Sequence, residues 1–466
     1  MKPTKNQLKE YAINAIESNS EKIIAIGDAI YEEPELGYKE EKTAAKVKKV
    51  FDELNFKYRD EVAISGVVAD LRGAESKLKV AVMGELDAVI SPANRCADLT
   101  TGAAHTCGHN AMIAALIGVA YALGTTDIMR HLSGDVALMA IPAEEFVEIE
   151  YRKGLIDAGK IRFMGGKQEF IYLGEFDDID LALMFHNDQS GQPGQSCQSG
   201  QSGQPNQPGQ SGQSNQPNQP QSEILASAGY TSIGFVGKFI QYIGKAAHAG
   251  ASPHLGINAL NAASIGLTAV NYQRETFKDE DSIRIHPIIT KGGALVNVVP
   301  DDVRIETFVR GANMEAILDA EMKVDRAFRA GGDAVGAKTN IESFPGYLPL
   351  VMCDPLMDIM FENQKQVLGA DRVIYKGPSL KGSTDAGDLS YILPTLHAGF
   401  GGLSGPLHTD HVEVIDKEVA YISPAKSLVM TVIDLLYDGA GAGLDVKKDF
   451  KPIMTKDQYL RDWGKL

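Results

Sequence analysis

The sequence predicts an α/β protein: a catalytic domain built on a mixed, largely parallel sheet, with a smaller α+β domain inserted in it. Short apolar runs of buried-strand type alternate with helical stretches in the first half of the chain. A βαββαβ order occupies the middle, and the strand–helix alternation resumes from Pro355. At 466 residues the chain has room for two domains, each with its own core.

Up to about residue 60 the chain reads as helix, with apolar positions near helical period over 8–16 and 23–30. Residues 67–71, 80–83, 136–141 and 181–185 read as buried strands, and the Ala-rich run 110–123 as a helix between them. Residues 189–222 are almost wholly Gln, Ser, Gly, Pro and Asn, with no charge and, Cys197 aside, no apolar side chain. Such a stretch cannot bury enough surface to offset its chain entropy, and a disordered loop is expected. A strand over 233–243 and a helix over 256–270 follow. Then come strands over 283–290 and 303–309, a helix over 314–328 and a strand over 339–344. The expected division is 1–232 with 345–466 as the catalytic domain and 233–344 as the inserted one.

The formal net charge of −16 argues against a nucleic-acid or anionic-membrane partner. Residues 1–10 have no apolar core of signal-peptide length, and no stretch approaches the roughly 20 apolar residues that span a bilayer. Cys96, Cys107, Cys197 and Cys353 are too few and too irregular for a disulfide framework. A cytoplasmic protein is expected.

Three buried-strand candidates run into polar residues that can bind metal: Glu85 and Asp87, Glu144 and Glu145, and His186. Ligand sites of open α/β sheets lie at the carboxyl ends of strands, so these side chains are expected in one crevice. In Thr106-Cys107-Gly108-His109-Asn110 a thiolate and an imidazole flank a glycine and can turn to one side. A helix starting near Asn110 would favour the thiolate. Alone, Cys107 is equally well a buried free cysteine beside a helix cap. Glu144 and Glu145 follow a strand, and neighbours on extended backbone point apart. One can bind metal while the other takes a proton from a metal-activated water.

Cys107-Gly-His109, Pro142-Ala-Glu144-Glu145 and His186, in that order, resemble the amidohydrolase branch of the aminoacylase/carboxypeptidase metallopeptidases. That branch holds hippurate hydrolases, plant auxin-conjugate hydrolases and aminobenzoyl-glutamate hydrolases. The resemblance covers nearly the whole chain. It extends to Pro34-Glu-Leu-Gly37, Gly244-Lys-Ala-Ala-His248-Ala-Gly, Gly292-Gly293, Asn297-Val-Val-Pro300, Arg310, Gly382-Ser-Thr-Asp385-Ala-Gly-Asp388 and Leu407-His408-Thr409.

The resemblance implies two divalent metals ligated by Cys107, His109, Glu145, His186 and His408, with Glu144 as general base and acid. A hydroxide held between the metals would attack the amide. Asp87 would orient a ligand, and His248, Asn297 and Arg310 would bind the substrate carboxylate or the oxyanion. The inserted domain would act as lid and dimer contact, with its histidine reaching the partner's site. The substrate class would be an N-acyl amino acid or dipeptide-like amide with a free carboxylate. Such ligands suit zinc, manganese or cobalt alike. The chain departs from the wider family at Glu85, where many members have a metal-binding His. The motifs around Glu85 and Gly382 look closer to aminobenzoyl-glutamate and dipeptidase-like members. Two other readings compete: a cysteine hydrolase with Cys107 as nucleophile, and a metal-bearing binding protein without catalysis.

Overall fold

The computed structural model describes residues 2–187 and 223–465. The low-complexity stretch 189–222, expected as a disordered loop, lies outside the described residues. Three helices open the chain: α1 (Lys5–Ser18), α2 (Ser20–Glu32) and α3 (Glu41–Glu53). The first is fixed by a capping box in which Thr4 accepts the Gln7 amide and the Gln7 side chain answers the Thr4 amide. Next come β1 (Tyr58–Val62), β2 (Gly66–Leu71), β3 (Lys79–Glu85), α4 (His109–Gly124), β4 (Asp135–Ile141), α5 (Ile149–Asp157), α6 (Gly166–Leu173), β5 (Leu181–Asn187) and β6 (Ala226–Gly229). The middle of the chain holds β7 (Gly234–Ile243), α7 (Ala259–Tyr272), β8 (Arg284–Ile285), β9 (Ile288–Lys291), β10 (Asp302–Gly311), α8 (Met314–Val335) and β11 (Lys338–Pro345). The last part holds α9 (Asp354–Leu368), β12 (Val373–Lys376), α10 (Ala386–Ser390), β13 (Thr395–Phe400) and α11 (Ser423–Leu436).

The larger sheet has eight strands in the order β1-β2-β4-β3-β5-β13-β6-β12. Its four central strands, β4, β3, β5 and β13, are mutually parallel, so their carboxyl ends share one edge. The middles of these strands are buried and largely apolar because helices cover both faces, and their polar residues fall mostly at the ends. On one face lies α4, buried from His109 to Leu123 and apolar on every side, packed against β3, α2 and α11. The apolar stretch Glu418–Leu436, which includes α11, is 94% buried, the mark of a core helix.

The smaller sheet is antiparallel, β8-β10-β7-β11 with β9 also on β10. Its own core joins Ile240, Tyr242, Val303 and Ile305 to Ala263 of α7 and Phe328 of α8. Along β10 buried and half-buried residues alternate, as on a sheet with one covered face.

Three details differ from the sequence expectation. The strand expected over 283–290 divides into β8 and β9 at Pro287, which has no N–H for the ladder. The start of α7 is Ala259 rather than 256, because Asn258 caps it by accepting from the Leu260 and Asn261 amides. Helix α8 runs past Phe328 to Val335 across Gly331 and Gly332. These glycines make close contacts, Gly331 with α7 and Gly332 with Thr339 of β11, and do not end the helix. A Cβ at Gly331 would lie 2.4 Å from the Ala262 carbonyl oxygen and 2.9 Å from Gly266 Cα in α7.

Candidate metal centre

The parallel register of β3 and β4 sets Glu85 beside Ile141, so the chain leaves both strands at the same edge. Glu85 ends β3 with Asp87 two residues on, Glu144 and Glu145 lie just beyond β4, and His186 is in the last part of β5. Gly108, at φ 94°, caps α4 and turns Cys107 and His109 into this edge. The φ is one that a glycine adopts without strain. His408, also left-handed at φ 62°, arrives on the loop after β13, where its amide donates to the Thr106 carbonyl at 2.8 Å.

The structure brings Cys107, His109, Glu145, His186 and His408 together. Cys107 Sγ lies 3.2 Å from His186 Nε2 and 3.2 Å from His408 Nε2. His408 Nε2 is 3.1 Å from Glu145 Oε1. His109 Nε2 is 3.0 Å from Glu85 Oε2 and 3.8 Å from Glu144 Oε2. His109 Nδ1 faces the Asp87 carbonyl at 2.8 Å, and His186 Nδ1 faces the Asn187 carbonyl at 2.7 Å. A carbonyl can only accept, so each Nδ1 carries the proton. Each Nε2 therefore faces the cluster, where a metal would take the place of any proton on it. Beyond these close approaches, Glu85 Oε2, His109 Nε2 and Glu145 Oε1 are buried and make no well-formed hydrogen bond. Orphaned donors of this kind fit a cation. Three overlapping sets converge: Cys107–His109–His186, Cys107–Glu145–His408 and Glu85–His109–Glu144.

The charges of the site call for positive charge. Burial and Glu145 oppose ionisation of Cys107, yet the three surrounding imidazoles pull its thiol down to about 6. Burial opposes charge on His109, but Cys107 and Glu85 lift it well above the usual histidine range. Glu145 and Cys107 raise His408 to about 12. The two adjacent carboxyls part company. Burial, Glu85 and Glu145 push Glu144 well above the usual carboxylate range, whereas His408 outweighs burial at Glu145 and holds it low.

Around these donors lies a shell that sequence reasoning found only in part. Both Asp87 oxygens accept backbone amides, Glu144 N at 3.1 Å and Glu145 N at 2.9 Å. Asp87 thus orients both glutamates as well as His109. Lys167, missed in the sequence, is fully buried and pairs with both Glu85 and Asp385. Nothing in its helical surroundings announced that role. Tyr347, also missed, donates its hydroxyl to the Glu144 carbonyl.

The expected substrate-binding residues separate. Arg310 of β10 donates to Ser383 Oγ at 2.9 Å and stacks over Phe235 and Phe308 at about 5 Å. It lies close enough to feel the charges of Glu145 and Glu144. His248 and Asn297 stand together, both exposed, with the Asn297 carbonyl accepting the Ala249 amide at 2.9 Å. His248 Nδ1 accepts the Gly250 and Ala251 amides, and His248 belongs to none of the converging donor sets.

Comparison with known proteins gives the chain its relatives. Residues 81–433 match the family described as Peptidase family M20/M25/M40. Over 481 aligned residues the chain is 27% identical to a Xaa-Arg dipeptidase of Mus musculus, covering 97% of this chain and 94% of that protein. An aminobenzoyl-glutamate utilization protein from Klebsiella pneumoniae shares the fold at a TM-score of 0.64 and 17% identity, over 92% of this chain and 98% of that one. A dinuclear metal binding peptidase from Bacillus subtilis does so at 0.59 and 18%, over 90% and 99%.

Proposed function

The chain belongs to peptidase family M20/M25/M40, and from that premise we propose that it cleaves the amide bond of a dipeptide or N-acyl amino acid, using two divalent metal ions at this centre. One observation carries the reading. Two sets of three donors, Cys107–His109–His186 and Cys107–Glu145–His408, converge and share a single sulfur. Thiolate, imidazole and carboxylate together suit zinc, manganese or cobalt. When bound, such ions polarise the scissile carbonyl and bring the pKa of water to about 7.

The chain's own residues do the rest. Glu144 takes the proton of the attacking water and returns it to the leaving nitrogen. Burial and the carboxylates of Glu85 and Glu145 raise its affinity for that proton. Arg310, held by Ser383 and two phenyl rings, offers its fork of donors to the substrate carboxylate, and Asn297, which stands beside His248, adds its amide from a second subunit. His248, which is exposed and belongs to none of the donor sets of its own chain, stabilises the oxyanion from a second subunit. The exposed apolar side chains Ile288, Ile289, Leu295 and Val296 in the same module support a dimer contact there.

Alignment to a Xaa-Arg dipeptidase along 97% of this chain favours dipeptides over other amides. The test loads the protein with manganese or zinc and offers Xaa-Arg dipeptides, N-acyl amino acids and p-aminobenzoyl-glutamate. Release of free amino acid from a dipeptide, abolished by chelation, is expected. A protein that carries about two metals per chain and cleaves none of these compounds would sink the proposal. Activity that survives chelation and is lost on thiol alkylation would favour Cys107 as a nucleophile.

A further inference from the structure

The turn that carries Glu144 and Glu145 begins at Ala143, whose φ of 56° is left-handed. A residue with a Cβ holds that backbone only when its surroundings impose it. Here they do. The Ala143 amide donates to Glu40 Oε1 at 2.8 Å, and its carbonyl accepts from the Gly166 amide at 3.1 Å and Arg152 Nη1 at 3.4 Å. Glu40 is fully buried, and its other oxygen accepts the Ser65 hydroxyl at 2.5 Å. The turn has no slack behind it: a Cβ at Gly37 would lie 2.9 Å from Ala143 Cα, and one at Gly166 would lie 1.6 Å from the Pro142 oxygen. Glu40 belongs to none of the converging donor sets.

We propose that Glu40 is a positioning residue for Glu144: by accepting the Ala143 amide, it holds the left-handed turn that aims the Glu144 carboxylate at the His109 side of the centre. This rests on Glu144 being the base. The contact needs an acceptor oxygen, which Gln supplies and Met, of similar size, does not.

Kinetics, metal content and crystal structures of Glu40→Gln and Glu40→Met decide it. A displacement near 1 Å can cost about 100-fold, so Glu40→Met is expected to lose roughly that much kcat, with KM and metal content within about threefold of wild type. Glu40→Gln should stay within about threefold in kcat. In the crystal, Glu40→Met should show Ala143 out of the left-handed region or Glu144 displaced. Glycine takes that backbone without the clamp, so Glu40→Met combined with Ala143→Gly should recover at least about tenfold.

Normal kcat in Glu40→Met overturns the proposal, as does equal loss in Glu40→Gln, or an unmoved turn in the crystal. If Glu40→Met alone does not fold, the double variant decides: folded but without recovery relative to wild type, it overturns the proposal as well. A wild-type protein that cleaves none of the offered amides would sink the functional reading alone, and the crystal structures would still judge Glu40.

Discussion

Glu144 and Glu145 are chemically identical neighbours, and their surroundings give them different tasks. Glu145 faces His408 and Cys107, whereas Glu144 faces His109 across 3.8 Å in a pocket of like charge. Glu144→Gln is therefore expected to abolish turnover with metal content nearly unchanged, and Glu145→Gln to lose metal as well. Metal analysis of the two purified variants checks this, and equal loss in both would refute the division. Glu40 gives a pH dependence. Burial, then Asp87, raises its carboxyl from 4.5 to about 7. Between those values the folded state binds more protons than the unfolded chain, so stability falls as pH rises from about 4.5 to about 7 and is flat above. Glu40→Gln removes that slope. Its thermal midpoint should decline less than that of wild type between pH 5 and 8. At this scale the donors were legible because Cys107-Gly-His109, Glu144-Glu145, His186 and His408 fall, in order, in motifs that resemble the family's; taken singly, a buried free cysteine or a solvated acidic pair is the commoner use. Lys167 was not, because its partners Glu85 and Asp385 lie 82 and 218 residues away.

Elements were legible wherever periodicity and burial agree. Strands β3, β4 and β5 and helix α4 fall where their apolar runs do, because a strand covered on both faces has few polar positions to blur it, whereas β13, with Thr395 and His397 in it, was not read. Strands β6 and β12 were not, since each has four residues and β6 is Ala-Ser-Ala-Gly, too short and too weakly apolar to show a period. Glycines mislead in a specific way. Those in α8 look like a stop, yet they serve close packing. Gly166 at the start of α6 is the sharper case, because its Cβ would stand 1.6 Å from the Pro142 oxygen, against 2.4 Å for the nearest atom at Gly331. Gly166→Ala is expected to destabilise the protein by about 1–3 kcal/mol, the usual range for overpacking, and to lower kcat by shifting the Glu144 turn. Urea unfolding and kinetics would show it. Unchanged stability would mean that the turn yields more easily than its contacts suggest.

At the scale of the whole molecule, the question is which chain's centre His248 and Asn297 serve. His248 and Asn297 are exposed in the module that also exposes Ile288, Ile289, Leu295 and Val296. If His248 serves a second subunit, His248→Ala and Glu144→Gln variants should each be inactive and should complement each other when mixed. Half of the dimers would then be mixed and half of their sites intact, giving about a quarter of wild-type activity. Subunit exchange is verified by mass spectrometry of differently tagged chains. Exchange without recovered turnover would place His248 in its own chain's work or in none.

The order of strands also has a consequence for how the protein is made. Strand β13 sits between β5 and β6, and His408 meets Cys107 across 301 residues of sequence. A chain emerging from the ribosome carries Cys107, His109 and His186 long before residues 395–408 exist. The first donor set can therefore gather early, but the sheet has a gap at its centre and the second set has no histidine until late in translation. Completion of the Cys107–Glu145–His408 set is thus a late event of biogenesis, and it ties a segment near the end of the chain to one from its first quarter. A chain halted before β13 would have the appearance of an enzyme at one end and an open sheet edge at the other.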